Sequence, residues 1–127
     1  MTVRAMIVDD NREFLQVARE MLEREGITVV AIASTGAQAL RSAAELDPDV
    51  ILLDVGLGDE NGFDVAVQLT AAGGQARRVV LISARSENDL RDMIAESPAI
   101  GFVAKSRLSA PAILALLDPS NGSGASE

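Results

Sequence analysis

The sequence predicts a three-layer α/β domain: a five-stranded parallel sheet with helices on both faces. Three observations predict it. Short, continuously apolar runs alternate with stretches of helical periodicity from one end of the chain to the other. The connections between them are short, which suits parallel strands joined by crossover helices. The 127 residues, 48% of them hydrophobic, provide one sizeable core and no room for two.

Val3 to Val8 reads as a buried strand that drops abruptly into two adjacent acids, Asp9 and Asp10. From Asn11 to Glu25 the apolar residues Phe14, Val17, Ala18, Met21 and Leu22 recur at helical spacing, and Gly26 stops the helix. Asp10-x-x-Glu13 fits a capping box for its start. Ile27 to Ala33 is a second strand, and Thr35-x-x-Gln38 caps a helix reaching about Leu46. "DPD" breaks the chain before "VILLD", a third strand ending on Asp54. The glycine-rich "VGLGDENG" leads to a helix from Phe63 to Ala72, closed by Gly73-Gly74. "RRVVLIS" is the fourth strand, and Ser86-x-x-Asp89 caps the next helix, which ends near Ser97-Pro98. "IGFVAK" is the fifth strand, and "SAPAILALLD" the last helix, with Pro111 tolerated in its first turn. Residues 1–118 make the domain, and 119–127, "PSNGSGASE" from its first proline, read as a flexible tail or linker.

Composition removes several kinds of chemistry. Without cysteine or histidine there are no disulfides, thiolate or imidazole metal ligands, or cysteine nucleophiles. The missing cysteine fits a reducing, cytoplasmic setting. No apolar run approaches the roughly 20 residues of a membrane span, and the first residues lack the layout of a signal peptide. A net charge of −8 disfavours direct nucleic-acid binding and suits metal cations or basic partner surfaces. Chemistry must rest on carboxylates, hydroxyls, amines and backbone.

In a doubly wound sheet the functional groups gather beyond the carboxyl ends of the strands. There the first strand delivers Asp9 and Asp10, the third Asp54, the fourth Ser83 and the fifth Lys105. With strand order 2-1-3-4-5 the first and third strands are neighbours, and three carboxylates converge. Such a group resists joint ionisation unless a cation neutralises it. With oxygen ligands alone, the expected ion is Mg²⁺ or Mn²⁺. Ser83 and Lys105 on the same rim suit a phosphoryl group, and Asp54 stands as a carboxylate nucleophile toward phosphorus.

The ordered set Asp9-Asp10, Asp54, Ser83, Lys105 resembles the receiver domain of two-component response regulators, over about residues 3 to 117. The resemblance implies the flavodoxin-like receiver fold of order 2-1-3-4-5. It implies that Asp54 accepts a phosphoryl group from a histidine kinase or phosphotransfer protein. Asp10 would bind Mg²⁺ directly, Asp9 mostly through water, and Asp54 and the backbone carbonyl of Gly56 would complete the protein's ligands. Backbone groups of Val55, Gly56 and Ala84 would contact the phosphoryl group. Ser83 and Phe102 would be the switch pair, reshaping the face of the fourth helix, fifth strand and fifth helix. That face would act on an output domain or target protein, or pair two copies. The only catalysis implied is self-directed: phosphotransfer to Asp54 and slow hydrolysis. The end "KSRLSAPAILALL" resembles receivers that precede helix-turn-helix transcription factors.

Two rival readings of the same residues exist. A phosphorylation-independent interaction module of the same fold would be favoured by loss of an acid or the lysine, and none is lost. A nucleotide-binding enzyme would need a glycine loop after the first strand, and "DDNREF" has none. "GLGDENG" matches neither a dinucleotide fingerprint nor an EF-hand. The chain also departs from the family pattern: Gly58 and Ser106 stand where prolines are usual, and Pro98 where a helix-ending glycine is common. Gly56 and Gly58 together predict a loop after Asp54 that is unusually free.

Overall fold

The computed structural model describes residues 2–72 and 78–117. Five strands form one parallel sheet: β1 (Arg4–Val8), β2 (Thr28–Ala33), β3 (Val50–Asp54), β4 (Val79–Ser83) and β5 (Gly101–Ala104). Their spatial order is β2-β1-β3-β4-β5, the order expected, so the first and third strands are neighbours. Between them run α1 (Arg12–Arg24), α2 (Gly36–Leu46), α3 (Gly62–Ala72) and α4 (Glu87–Glu96), with α5 (Ala110–Leu117) last. The glycine pair after α3 and the tail from 119 onward lie outside the described residues. No helix among those described is long and apolar enough to cross a membrane.

Strand alternation explains the layering. On one face Ala5, Ile7, Val50, Leu52, Val80, Ile82 and Val103 pack with Leu15, Ala18 and Leu22 of α1 and with Ala110 and Ile113 of α5. On the other, Met6, Val8, Ile51, Leu53, Val79 and Leu81 pack with Ala39 and Ala43 of α2 and Val65, Ala66 and Leu69 of α3. Because both faces are covered, the strands read as unbroken apolar runs. Each fully buried leucine or isoleucine contributes roughly 1.5–3 kcal/mol, so the central strands are the most firmly held part of the molecule.

The caps are mostly those expected. Thr35 Oγ1 accepts from Gln38 N at 3.1 Å, and Ser86 Oγ accepts from Asp89 N at 3.3 Å. The start of α1 differs. Asn11, not Asp10, is its cap, its Oδ1 accepting from Phe14 N at 3.1 Å. A side chain one residue further along reaches the first turn better, and Asp10 is left exposed with no capping duty.

Two local structures were not foreseen. The loop after Asp54 is a minimal antiparallel hairpin, Gly56–Leu57 against Glu60–Asn61. Gly58 sits at its turn with φ +59°, the left-handed value that a glycine-first hairpin turn requires. After β5, Lys105–Arg107 form one turn of 3₁₀ helix with trans peptides throughout.

Candidate functional site

Asp9 follows the last residue of β1 and continues its pairing, its N–H donating to the Ala33 carbonyl at 3.0 Å. The side chain is fully buried. Its Oδ1 accepts from Asn11 N at 2.9 Å, which closes the turn into α1. Its Oδ2 makes no directed hydrogen bond; the Lys105 ammonium stands 2.5 Å away and holds it by charge. Asp54, at the end of the central strand β3, is 7% exposed. Its Oδ2 lies 3.6 Å from the same ammonium. Lys105 reaches in from the turn after β5, with Nζ 4.5 Å from the centre of the Phe14 ring, near enough for a cation–π contact.

Carboxylate oxygens of Asp9, Asp10 and Asp54 all lie within 4.8 Å of one another. The electrostatic consequence falls on Asp54, whose carboxyl is pushed up from its ordinary 3.8 to about 6. Burial is the main cause and the Asp9 carboxylate the next, while Lys105 and the Gly56 N–H act against them. One lysine therefore does not neutralise the acids it faces. A buried oxygen without a directed hydrogen bond, beside a crowded pair of acids, is the environment a hard divalent cation relieves. The three acids fit such an ion, and Asp10, exposed and free of capping, is open to it.

Ser83 ends β4 at 3% exposure, and its Oγ accepts from Arg85 N at 3.0 Å. Phe102 of β5 is half-buried, pairs in register with Leu81 and packs on the α2–α3 side of the core. An open cleft of about 480 Å³ is lined by Asp54, Gly56, Ser83, Ala84 and Lys105 together with the apolar Phe63, Leu90 and Met93. Gly56 N–H points at the Asp54 carboxylate. Val55 N–H differs from expectation: it donates to the Ile82 carbonyl at 3.1 Å, continuing the β3–β4 ladder, and is not a free donor to an anion in this arrangement.

Residues 5–117 match the response regulator receiver domain. The chain belongs to that family. The receiver is 38% identical over 100 residues to the transcriptional regulatory protein KdpE of Mycobacterium tuberculosis, an alignment covering 79% of this chain and 43% of KdpE. It is 35% identical over 104 residues to a protein-glutamate methylesterase/protein-glutamine glutaminase of Myxococcus xanthus, covering 81% of this chain and 30% of that one. Among solved structures, a LuxR-family two-component response regulator from Aurantimonas superposes with a TM-score of 0.77 at 30% identity, covering 90% of this chain and 80% of the other. The receiver thus spans less than half the length of these two sequence relatives.

Sequence reasoning missed two side chains that bear on the receiver's site. Phe14 reads as an apolar position of α1, and nothing local says that a lysine 91 residues later lies over its ring. Glu60 belongs to a loop whose acids fit no known ligand spacing, yet its Oε1 accepts from Gly36 N at 2.8 Å. The close approach of a glycine at the start of α2 was the available signal.

Proposed function

We propose that this receiver is a phosphoacceptor switch of a two-component system, working in the cytoplasm, in which Asp54 takes a phosphoryl group from a histidine kinase or phosphotransfer protein. The observation that carries the reading is the convergence of Asp9, Asp10 and Asp54 within 4.8 Å around a lysine 2.5 and 3.6 Å from two of them. Asp9, Asp10, Asp54 and the Gly56 carbonyl would hold Mg²⁺ or Mn²⁺, which when bound supplies positive charge against the acids and the incoming phosphoryl oxygens.

An ionised Asp54 oxygen attacks the phosphorus of a phosphohistidine. A P–O bond forms to the carboxylate, the P–N bond breaks, and its electron pair leaves with the imidazole, which takes a proton from solvent. Lys105 supplies the second positive charge and transfers part of its ion pairing from Asp9 to a phosphoryl oxygen. Gly56 and Ala84 N–H groups and the Ser83 hydroxyl take the remaining phosphoryl contacts. Attack of water on phosphorus releases phosphate and restores the carboxylate.

The Ser83 hydroxyl, whose Oγ accepts from Arg85 N, keeps its own proton to donate and swings toward the phosphoryl group. Its inward movement leaves space that Phe102 fills, and Phe102 lines a cleft with Arg85, Ser86, Ala112 and Leu116 between α4, β5 and α5. A covalent charge at Asp54 is thereby read at the α4-β5-α5 face by an output domain or target protein, or by a second copy. The regulators named above have different outputs. The end of the chain, "KSRLSAPAILALL", favours a transcription-regulating one.

The test is intact mass after incubation with Mg²⁺ and acetyl phosphate. One added phosphoryl group, absent in Asp54→Asn and absent with EDTA, is expected. Addition that survives Asp54→Asn sinks the assignment.

A further inference from the structure

The loop after Asp54 lacks the stiffness of a proline at position 58, yet it is not loose. Leu57 is 3% exposed and anchors the hairpin in the core, while Gly62 N–H donates to the Val55 carbonyl at 2.8 Å and closes its base. The third tie is long-range. Glu60, directly opposite Leu57 in the hairpin, reaches across to α2 and accepts the Gly36 amide at 2.8 Å. Gly36 N–H is among the amides that the helix itself leaves unpaired, and a carboxylate there also meets the positive end of the helix dipole. The approach is close: a Cβ at position 36 would come within 2.6 Å of Glu60 Oε2 and 3.0 Å of Val65 Cγ2, so the carboxylate would have to shift.

We propose that Glu60 is a positioning residue: by clamping the hairpin to the N-terminus of α2 it sets the Gly56 backbone at the acidic site, in place of the missing proline. This rests on the reading above that the Gly56 carbonyl faces a bound divalent cation. The chain of contact is short. Glu60 fixes the outer strand of the hairpin, the hairpin pairs Gly56 with Asn61, and Gly56 N–H meets Asp54. Gly56 has open space around it and no side chain to fix it, so its orientation comes from its partners. Outer supports of this kind commonly change metal affinity on the order of tenfold when removed.

The experiment compares wild type, Glu60→Ala, Glu60→Gln and Gly36→Ala by amide NMR during Mg²⁺ titration, then by intact mass with acetyl phosphate. Glu60→Ala is expected to weaken Mg²⁺ binding and slow phosphoryl gain, each by about tenfold. Glu60→Gln, whose amide oxygen accepts the same bond, restores most of both. Gly36→Ala, which pushes the carboxylate away, reproduces the defect from the opposite side. In the metal-free protein the Gly36 and Gly56 amide resonances shift in Glu60→Ala and return in Glu60→Gln, while resonances of α5 stay put. Wild-type Mg²⁺ affinity in Glu60→Ala overturns the proposal. Wild type that binds Mg²⁺ but gains no phosphoryl group removes the phosphoacceptor reading and leaves the affinity comparison to decide Glu60. No Mg²⁺ binding in any form overturns both.

Discussion

Lys105 Nζ lies 2.5 Å from Asp9 Oδ2, closer than the 3.6 Å that separates it from Asp54. The ammonium is paired mainly with the fully buried acid and only secondarily with the one proposed to react. Removing it therefore strands a carboxylate that cannot reach water. Lys105→Met is expected to lower stability at pH 7 without metal by about 2–4 kcal/mol, since a buried charge has lost its counter-charge. Added Mg²⁺ should recover part of the loss. Urea denaturation with EDTA and with Mg²⁺ checks both.

Asp54 supplies the pH dependence. Its folded pKa, about 6, lies above the ordinary 3.8, so the folded state holds this proton more tightly than the unfolded chain does. Its favourable contribution is complete below pH 3.8 and is lost as pH rises through about 6, leaving ionised Asp54 a liability above that. Without metal, Asp54→Asn should thus be more stable than wild type at pH 7.5, by up to about 3 kcal/mol. The advantage should shrink between pH 6 and pH 4. Thermal melts of both forms across that range decide the sign, and Mg²⁺ should favour wild type.

Position 58 offers a sharper test of the loop. Proline requires φ near −65°, whereas Gly58 has φ +59°. Gly58→Pro, which restores the residue usual in the family, should break the hairpin here and destabilise the domain by at least about 1 kcal/mol. Its Mg²⁺ affinity should fall. A more stable Gly58→Pro protein with unchanged Mg²⁺ binding would contradict the hairpin as described.

Gly62 bears directly on the backbone of the site. A Cβ there would collide with the Asp54 carbonyl and the Val55 backbone, both held by the central strand. Gly62→Ala should cost about 2–3 kcal/mol as overpacking against atoms that cannot yield. It should also displace Asp54, so Mg²⁺ binding drops more than in Gly56→Ala, where a Cβ meets nothing within 4 Å. Denaturant melts and Mg²⁺ titration of the two variants make the comparison.

The layout of the site was legible because it is encoded by position along the strands. An apolar run that stops on a polar residue marks the carboxyl end of a strand, and in a parallel sheet those ends share one edge. Asp9, Asp54, Ser83 and Lys105 could therefore be placed together from spacing alone, and the sheet order β2-β1-β3-β4-β5 puts the first two on adjacent strands. The cap of α1 was misread because Asp10 and Asn11 are equally good capping residues, and only the path of the turn chooses between them.

By itself the sequence determined the alternation of strands and helices, the two-faced core and the roster of polar residues at one edge. Those depend on side-chain periodicity and short-range signals, which each segment carries alone. Only the tertiary structure decided which acid Lys105 pairs with, that Phe14 lies beneath its charge, and that two glycines and two acids after Asp54 form a hairpin tied to α2. The bond between Glu60 and Gly36 spans 24 residues, and that between Lys105 and Asp9 joins opposite ends of the chain. Local patterning cannot carry such contacts, because their energy arises only once the sheet has brought the partners into reach.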